Sequence, residues 1–311
     1  MDIKNVVVAG GGVLGSQIAF QSAYKGFNVK IWLRSEGSIG RAQPKIDHLK
    51  DVYLKILEAM KTNPAAYCRG LTDKTDLSDE EIEELKNNVM KAYNSIVLTT
   101  SYEEVGEDAD IVIEAIAEDP KQKIPFYEEL AKHIPEKTII VTNSSTRLPS
   151  EFAEYTGRPE KYLALHFANE IWKNNTAEVM GHPGTDQKYY DEVVDFALAI
   201  NMVPLKLKKE QPGYILNSML VPFLNSAQML YAKGVADPET IDKTWMLATG
   251  APAGPFRILD IVGLVTAYNI VIMNPEAFDP ETIPGKIAVL LKEKIDAGKT
   301  GVNAGEGFYK Y

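Results

Sequence analysis

Cysteine is nearly absent from this chain: its 311 residues contain one, Cys68. No intrachain disulfide can form, and a cysteine-based zinc site has no ligand set, so no metal is expected. Long apolar runs are missing as well; none approaches the ~20 residues of a membrane-spanning helix. No basic segment with a cleavage site precedes the first strand-like run, so the expectation is a cytoplasmic protein with no membrane partner. Basic residues are in deficit. Lys and Arg total 33 against 43 Asp and Glu, a net charge of −10, which argues against nucleic acid as the main partner. An anionic ligand would need a local basic patch. Histidine is scarce, four in all, which narrows the search for an imidazole base. The remainder is ordinary for a globular protein, 45% hydrophobic and 24% charged, and long enough for one large domain or two ordinary ones.

The first half alternates strand-like and helical patterns. Strands are expected at Asn5–Ala9, Asn28–Leu33, Ser95–Leu98, Ile111–Ala115, Thr138–Thr142 and Tyr162–Phe167, with Ala177–Met180 and Pro204–Leu207 extending the sheet. Helical stretches such as Leu14–Tyr24 and Lys121–Lys132 lie between them. Such alternation implies a mostly parallel sheet with helices on both faces, an α/β Rossmann-like domain. About sixty residues separate the second and third strands, too many for a structureless loop. They read as a helical arm, about 36–94, with helices near His48–Met60 and Asp79–Tyr93, the second opening on a capping box at Ser78–Glu81. Such an arm is either a substrate-contacting element or a surface insertion without a ligand. After Leu207 the polar turn Lys208–Gly213 suggests a boundary, and only helical patterns follow: Tyr214–Lys233, Pro238–Thr249, Phe256–Met273 and Pro284–Ala297. The expected domains are 1–207 and an all-helical 208–311.

Residues 6–15 read VVVAGGGVLG. Gly10, Gly12 and Gly15 form GxGxxG between a strand and a helix: Gly10 for the tight turn, Gly12 for close approach of a pyrophosphate, Gly15 for helix–strand packing. Val13 and Leu14 open the helix, whose free N–H groups and dipole suit phosphates. At the end of the second strand, NAD-binding units carry an Asp or Glu for the ribose 2′-hydroxyl. Here Leu33 is followed by Arg34 and Ser35. The missing carboxylate and the arginine favour NADP, with Arg34 pairing the 2′-phosphate and Ser35 adding a hydrogen bond. NAD remains the alternative, with Glu36 as a displaced ribose ligand or Arg34 as a solvated surface residue.

Hydride chemistry on a hydroxyl substrate needs a base. Of His48, His133, His166 and His182, only His166 ends an apolar strand, in YLALHFANE, and strand ends at the carboxyl edge of an open sheet face the ligand crevice. Glu178 follows twelve residues later in AEVMG; an antiparallel neighbour strand would set it beside the imidazole. Thr142–Ser145 ends another strand and brings hydroxyl and amide groups to the same edge, or simply caps a turn.

Taken in order, GxGxxG, Glu114–Glu118 (EAIAE), Asn143–Ser145 (NSS), His166–Asn169 (HFAN), Glu178, Pro212–Asn217 (PGYILN), Gly250–Phe256 (GAPAGPF), Asp260–Gly263 (DIVG) and Gly305–Tyr311 (GEGFYKY) resemble the L-3-hydroxyacyl-CoA dehydrogenase family, 3-hydroxybutyryl-CoA dehydrogenases included, over nearly the whole chain. The resemblance implies an oxidoreductase that interconverts 3-hydroxyacyl-CoA and 3-oxoacyl-CoA with a nicotinamide cofactor, built from a Rossmann-like domain and a helical domain that forms a homodimer. It implies His166 as base and Glu178 as its orienting partner. Ser145 and Asn217 would contact the substrate oxygens, and Glu118, Lys123, Asn143 and Asn169 the cofactor. It also implies an arm that meets coenzyme A.

The sequence departs from the family's usual HFFNP: it reads HFANEIWKNN, with Ala168 for an aromatic, Glu170 for proline, and Lys173, Asn174 and Asn175 in a normally apolar stretch. Arg147 follows the serine pair, and Asn303 stands where lysine is common. These changes either signal a short or polar substrate, with a carboxylate for Arg147, or are solvent-facing drift. Two rivals therefore stand beside the main reading: a dehydrogenase of a free polar 3-hydroxy acid, and a non-catalytic cofactor-binding protein on the same fold.

Overall fold

The computed structural model describes residues 3–311, which form two compact units, 3–215 and 216–311. In the first, β1 (Asn5–Ala9) leads through the glycine turn into α1 (Val13–Tyr24) and β2 (Asn28–Trp32). The arm follows as α2 (Glu36–Met60) and α3 (Asp79–Ser95), then β3 (Val97–Thr99), the short α4 (Tyr102–Gly106), β4 (Ile111–Glu114), α5 (Pro120–Leu130), β5 (Ile139–Thr142), β6 (Tyr162–Phe167), β7 (Thr176–Gly181), α6 (Gln187–Ala199) and β8 (Val203–Lys206). The eight strands make one sheet in the order β3-β2-β1-β4-β5-β6-β7-β8, parallel throughout except for the β6–β7 pair. The order reverses between β1 and β4, the switch point at which doubly wound sheets bind ligands beyond their strand ends.

The central strands are apolar on both faces, as burial between two helical layers requires. Val6, Val8, Ile111, Ile113, Ile139 and Val141 pack with α1 and the arm, while Val7, Val112, Ile140 and Tyr162 pack with Phe126, Tyr127 and Leu130 of α5. Each such side chain contributes roughly 1.5–3 kcal/mol relative to exposure.

The arm differs from its sequence reading in one respect: α2 begins at Glu36, directly after β2, rather than near His48. The stretch EGSIGRAQP is poor in helix formers, and Pro44 lies inside the helix, a feature that costs about 3 kcal/mol in a free helix. Packing overrides it. Ala42, Ile46, Leu49, Tyr53 and Leu57 form one buried stripe, and Ala42 lies so close to Gly11 that a β-carbon there would come within 2.6 Å of its own. The capping box of α3 is present, with Ser78 and Glu81 bonding each other's backbone.

The helical unit consists of α7 (Leu216–Ala232), α8 (Pro238–Thr249), α9 (Pro255–Val262), α10 (Leu264–Val271) and α11 (Ile283–Asp296), around Leu224, Phe256, Leu259, Leu264 and Leu291. The expected single helix 256–273 is two, because Gly263 at φ +92° ends α9 and the Leu264 N–H turns to the carbonyl of Thr300. The division between units falls at 215/216 rather than 207/208. Residues 208–215 stay with the sheet because the Tyr214 hydroxyl bonds Ser144 and the Ile215 N–H bonds Glu178.

Candidate active site

The glycine turn leaves the carboxyl end of β1. Gly10 sits at φ +119°, and a β-carbon on it would meet the Ala115 carbonyl oxygen at 2.5 Å. A β-carbon on Gly15 would meet the Gly10 carbonyl oxygen at 2.2 Å, so the helix can pack this closely only with glycine there. At Gly12 a β-carbon would meet nothing within 4 Å. Gly12 and Val13 are exposed at the mouth of α1 and Leu14 is half-buried. An open concave backbone ahead of a helix N-terminus is the cradle a pyrophosphate fills, and the chain fits a dinucleotide on that ground.

Beyond β2, Arg34 is exposed and its guanidinium donates to Gln122 Oε1 at 3.0 Å. Ser35 starts α2; its hydroxyl pairs with that of Ser38 at 3.0 Å, and Arg41 donates to Ser38 at 2.7 Å. Glu36, one residue further on, accepts from the Thr100 hydroxyl at 3.1 Å. Cations, hydroxyls and one carboxylate therefore share this corner.

The catalytic candidates converge on the same sheet edge. His166 is the penultimate residue of β6 and is buried. The antiparallel β7 places Glu178 directly opposite it, and the carboxylate Oε2 lies 3.0 Å from His166 Nδ1. The other carboxylate oxygen accepts the Ile215 N–H at 2.9 Å. His166 Nε2 lies 3.1 Å from Ser145 Oγ, just past the end of β5. A carboxylate on Nδ1 holds that proton and leaves Nε2 as the acceptor, the arrangement of a general base.

The turn that carries Ser145 is fixed from several sides. Ser144 N–H donates to Thr142 Oγ1, Ser144 Oγ donates to Glu118 at 2.6 Å, and Ser145 N–H donates to the other Glu118 oxygen at 2.8 Å. Asn143 Oδ1 accepts the Phe167 N–H at 3.0 Å and so continues the β5–β6 ladder past its end. Asn169 is exposed beyond β6, and its carbonyl accepts from the Asn174 amide.

Beneath this turn lies an ion pair that motif matching named only in part. Lys123 is 1% exposed, with its ammonium 2.7 Å from both oxygens of Glu114, itself fully buried, and 3.8 Å from Glu118. Tyr127 and Thr142 also donate to Glu114, and Tyr127 shares a hydrogen bond with Tyr162. Burial, and secondarily the charge of Glu114, pushes both phenols well up, so they remain protonated donors. A buried carboxylate with this many donors is compensated. Lys123 thus meets the crevice through Glu118.

Part of the unusual polar stretch after His166 has internal partners, while the side chains of Glu170, Lys173 and Asn174 are exposed. Gln17 Oε1 accepts the Glu170 N–H, and buried Asn175 is bonded by Arg69 at 2.6 Å and donates to the Asn201 carbonyl at 2.7 Å. The guanidinium of Arg147 lies 3.2 Å from Glu151. Asn217 stands in the first turn of α7, in the other compact unit. Sequence reasoning missed Tyr214, whose ring stacks on His166 with centroids 4.3 Å apart and planes 10° from parallel.

Comparison with known proteins gives one family twice. The family model described as 3-hydroxyacyl-CoA dehydrogenase, NAD binding domain, matches residues 5–211, and that of the family's C-terminal domain matches 213–311. The chain is 32% identical to the mitochondrial hydroxyacyl-coenzyme A dehydrogenase of Rattus norvegicus over 309 residues, covering 99% of this chain and 91% of the relative. It is 30% identical over 315 residues to a probable 3-hydroxybutyryl-CoA dehydrogenase of Bacillus subtilis, covering 100% and 98%. Among solved structures, a diketoreductase studied for its catalysis of dicarbonyl compounds superposes with a TM-score of 0.85 and 46% identity, covering all of both chains.

Proposed function

The chain belongs to the 3-hydroxyacyl-CoA dehydrogenase family, and on that premise we propose that it interconverts a 3-hydroxyacyl-CoA and its 3-oxoacyl form, with His166 as general base. The observation that carries this reading is the line Glu178–His166–Ser145, with contacts of 3.0 and 3.1 Å at a sheet edge beside the dinucleotide cradle. A bound nicotinamide would supply the hydride acceptor. The chain's own residues do the rest: His166 Nε2 takes the hydroxyl proton, Glu178 stabilises the imidazolium, and Ser145, with Asn217, holds the reacting oxygens. The main-chain N–H groups at Gly12–Leu14 would hold the pyrophosphate, and Glu118, kept in place by Lys123 and Ser144, would meet the nicotinamide side together with Asn143 and Asn169.

The cofactor is proposed to be NADP in preference to NAD, because Arg34, Ser35, Ser38 and Arg41 offer charge and hydroxyls to a 2′-phosphate. Glu36 is the residue through which NAD would win. The helical unit exposes Ile261, Met273 and Phe278, and a homodimer through that unit is proposed, to be checked by solution mass. No described helix is long and apolar enough to cross a membrane; a cytoplasmic location is the accompanying proposal, tested by cell fractionation.

A second reading is favoured by one observation, the 46% identity to a diketoreductase against about 30% to the CoA dehydrogenases. On it, the substrate is a free dicarbonyl or 3-hydroxy acid, with Arg147 available to a carboxylate. One experiment decides among all of these: oxidation of NADPH and of NADH with acetoacetyl-CoA, free acetoacetate and a dicarbonyl panel. Turnover confined to the free compounds overturns the thioester reading, and a higher kcat/KM with NADH overturns the NADP preference. Tight cofactor binding without turnover on any of them would leave a non-catalytic binder.

A further inference from the structure

Tyr214 is placed like a component of the site rather than of the core. It is 1% exposed, yet its backbone adopts φ +54°, next to Gly213 at +76°. Left-handed backbone is rare for a bulky residue and persists only where the surroundings impose it. Two of its contacts bear directly on the site. The ring lies flat against His166 at 4.3 Å. The hydroxyl donates to the Ser144 carbonyl at 2.7 Å. Burial, and secondarily the charges of Glu118 and Glu178, pushes the phenol well up, so it stays a donor across the working pH range. The next residue, Ile215, donates its N–H to Glu178. One short segment therefore touches the base, the carboxylate that orients it, and the turn that carries Ser145.

We propose that Tyr214 is a positioning residue with two separable actions: its ring fixes the plane of the His166 imidazole, and its hydroxyl fixes the Ser144–Ser145 turn that holds the substrate oxygen. Stacked rings at this distance attract and resist rotation out of plane. A base rotated out of plane loses its line to both Glu178 and the substrate, and misplacement on the scale of an ångström costs about a hundredfold in rate. The hydroxyl acts on Ser145 through the main chain of Ser144, so its loss should appear in substrate binding.

The inference rests on His166 being the base, and the experiment separates the two. His166→Gln, Tyr214→Phe and Tyr214→Leu are compared with the parent enzyme for kcat, KM of the ketone substrate and cofactor Kd. Tyr214→Phe keeps the stack and loses the tether. KM should rise about three- to tenfold, the scale of one neutral hydrogen bond, with kcat within about threefold. Tyr214→Leu loses the stack. Its kcat should fall about ten- to a hundredfold with cofactor Kd unchanged. Parent-like kcat in Tyr214→Leu, or parent-like KM in Tyr214→Phe, overturns the proposal, and the Phe variant decides alone where the Leu variant does not fold. Full activity in His166→Gln overturns the base assignment instead.

Discussion

Replacing Glu178 by Gln tests the site through a single proton. Among its contacts, the carboxylate faces donors on both oxygens: Oε1 accepts the Ile215 N–H at 2.9 Å and Oε2 faces His166 Nδ1 at 3.0 Å. A glutamine has one oxygen and one NH2 to place. With the NH2 toward Ile215, two donors would oppose each other in a buried site, at a cost of about 1–3 kcal/mol. The oxygen therefore stays on Ile215 and the NH2 turns to the imidazole. Nδ1 must then accept, which moves the ring proton to Nε2, the atom that should take the substrate's proton. The geometry survives and the base is in the wrong tautomer. The matching change in a serine-protease triad costs about 10⁴ in kcat. Here a loss on the order of 10³ is expected for alcohol oxidation, with cofactor Kd unchanged and Tm within a few degrees. Initial rates of cofactor reduction at saturating substrate measure it. A Glu178→Gln enzyme retaining a third of parental kcat would refute the tautomer argument, and with it the role of His166 Nε2 as proton acceptor.

Two further predictions concern stability. Asp110 joins the entrance of β4 to β1 by accepting the N–H groups of Lys4 and Asn5 at 2.9 Å, and it pairs with Lys137. Burial pushes its pKa up, but Lys137 and those two N–H groups outweigh it and hold it below the ordinary value. A carboxylate depressed in the folded state contributes stability fully above the unfolded pKa of about 3.9, and loses it as pH falls through the folded value. Asp110→Asn should therefore be less stable than the parent by about 1–3 kcal/mol at pH 7, with the gap closing below about pH 4 in urea titrations; a gap independent of pH would contradict this. Asp260 is buried and accepts from the N–H groups of Phe308 and Tyr309 and the hydroxyl of Tyr311, fastening the GEGFYKY tail to α9. Asp260→Ala should cost about 3 kcal/mol or more, which lowers the Tm of a unit this size by more than about 10 °C, and should expose the tail to carboxypeptidase; an unchanged Tm would show that the tail is held by its aromatic rings alone.

Local chemistry explains which parts of the fold were legible in the sequence. The β1–α1–β2 unit could be read because each glycine has a separate steric duty that no other residue performs. The pairing of His166 with Glu178 could be read because one strand end and an even, short offset leave an antiparallel neighbour few registers. The start of α2 could not, since Pro44 and two glycines signal a loop and only contact with Gly11 and the sheet makes the helix pay. Helix α6 passed unnoticed although Asp186 caps it and Val193, Val194, Phe196 and Ala197 form its buried stripe; that signal was present in the sequence. The break at Gly263 needed a positive φ that an isolated glycine in an apolar run does not announce.

At the site itself, legibility stops at contacts between distant segments. Motif order led to Lys123 and Glu118 but assigned both to the cofactor. Only the packing reveals that the lysine pairs with buried Glu114, which Tyr127 also bonds, and that it lies 3.8 Å from Glu118. The polar residues after His166 suggested a polar substrate. For Asn175 the structure gives a nearer partner, because Arg69 and Asn201 satisfy it from the arm and from the turn ahead of β8. A buried asparagine already bonded on both ends has little left to offer a ligand. What still distinguishes a thioester from a free acid then rests on groups that remain half-exposed at the sheet edge, and Arg147 carries a charge of the right sign next to the serine turn. If the second reading is correct, its guanidinium must leave Glu151, 3.2 Å away, to meet a substrate carboxylate, and Arg147→Gln should then raise KM for free acetoacetate while sparing acetoacetyl-CoA.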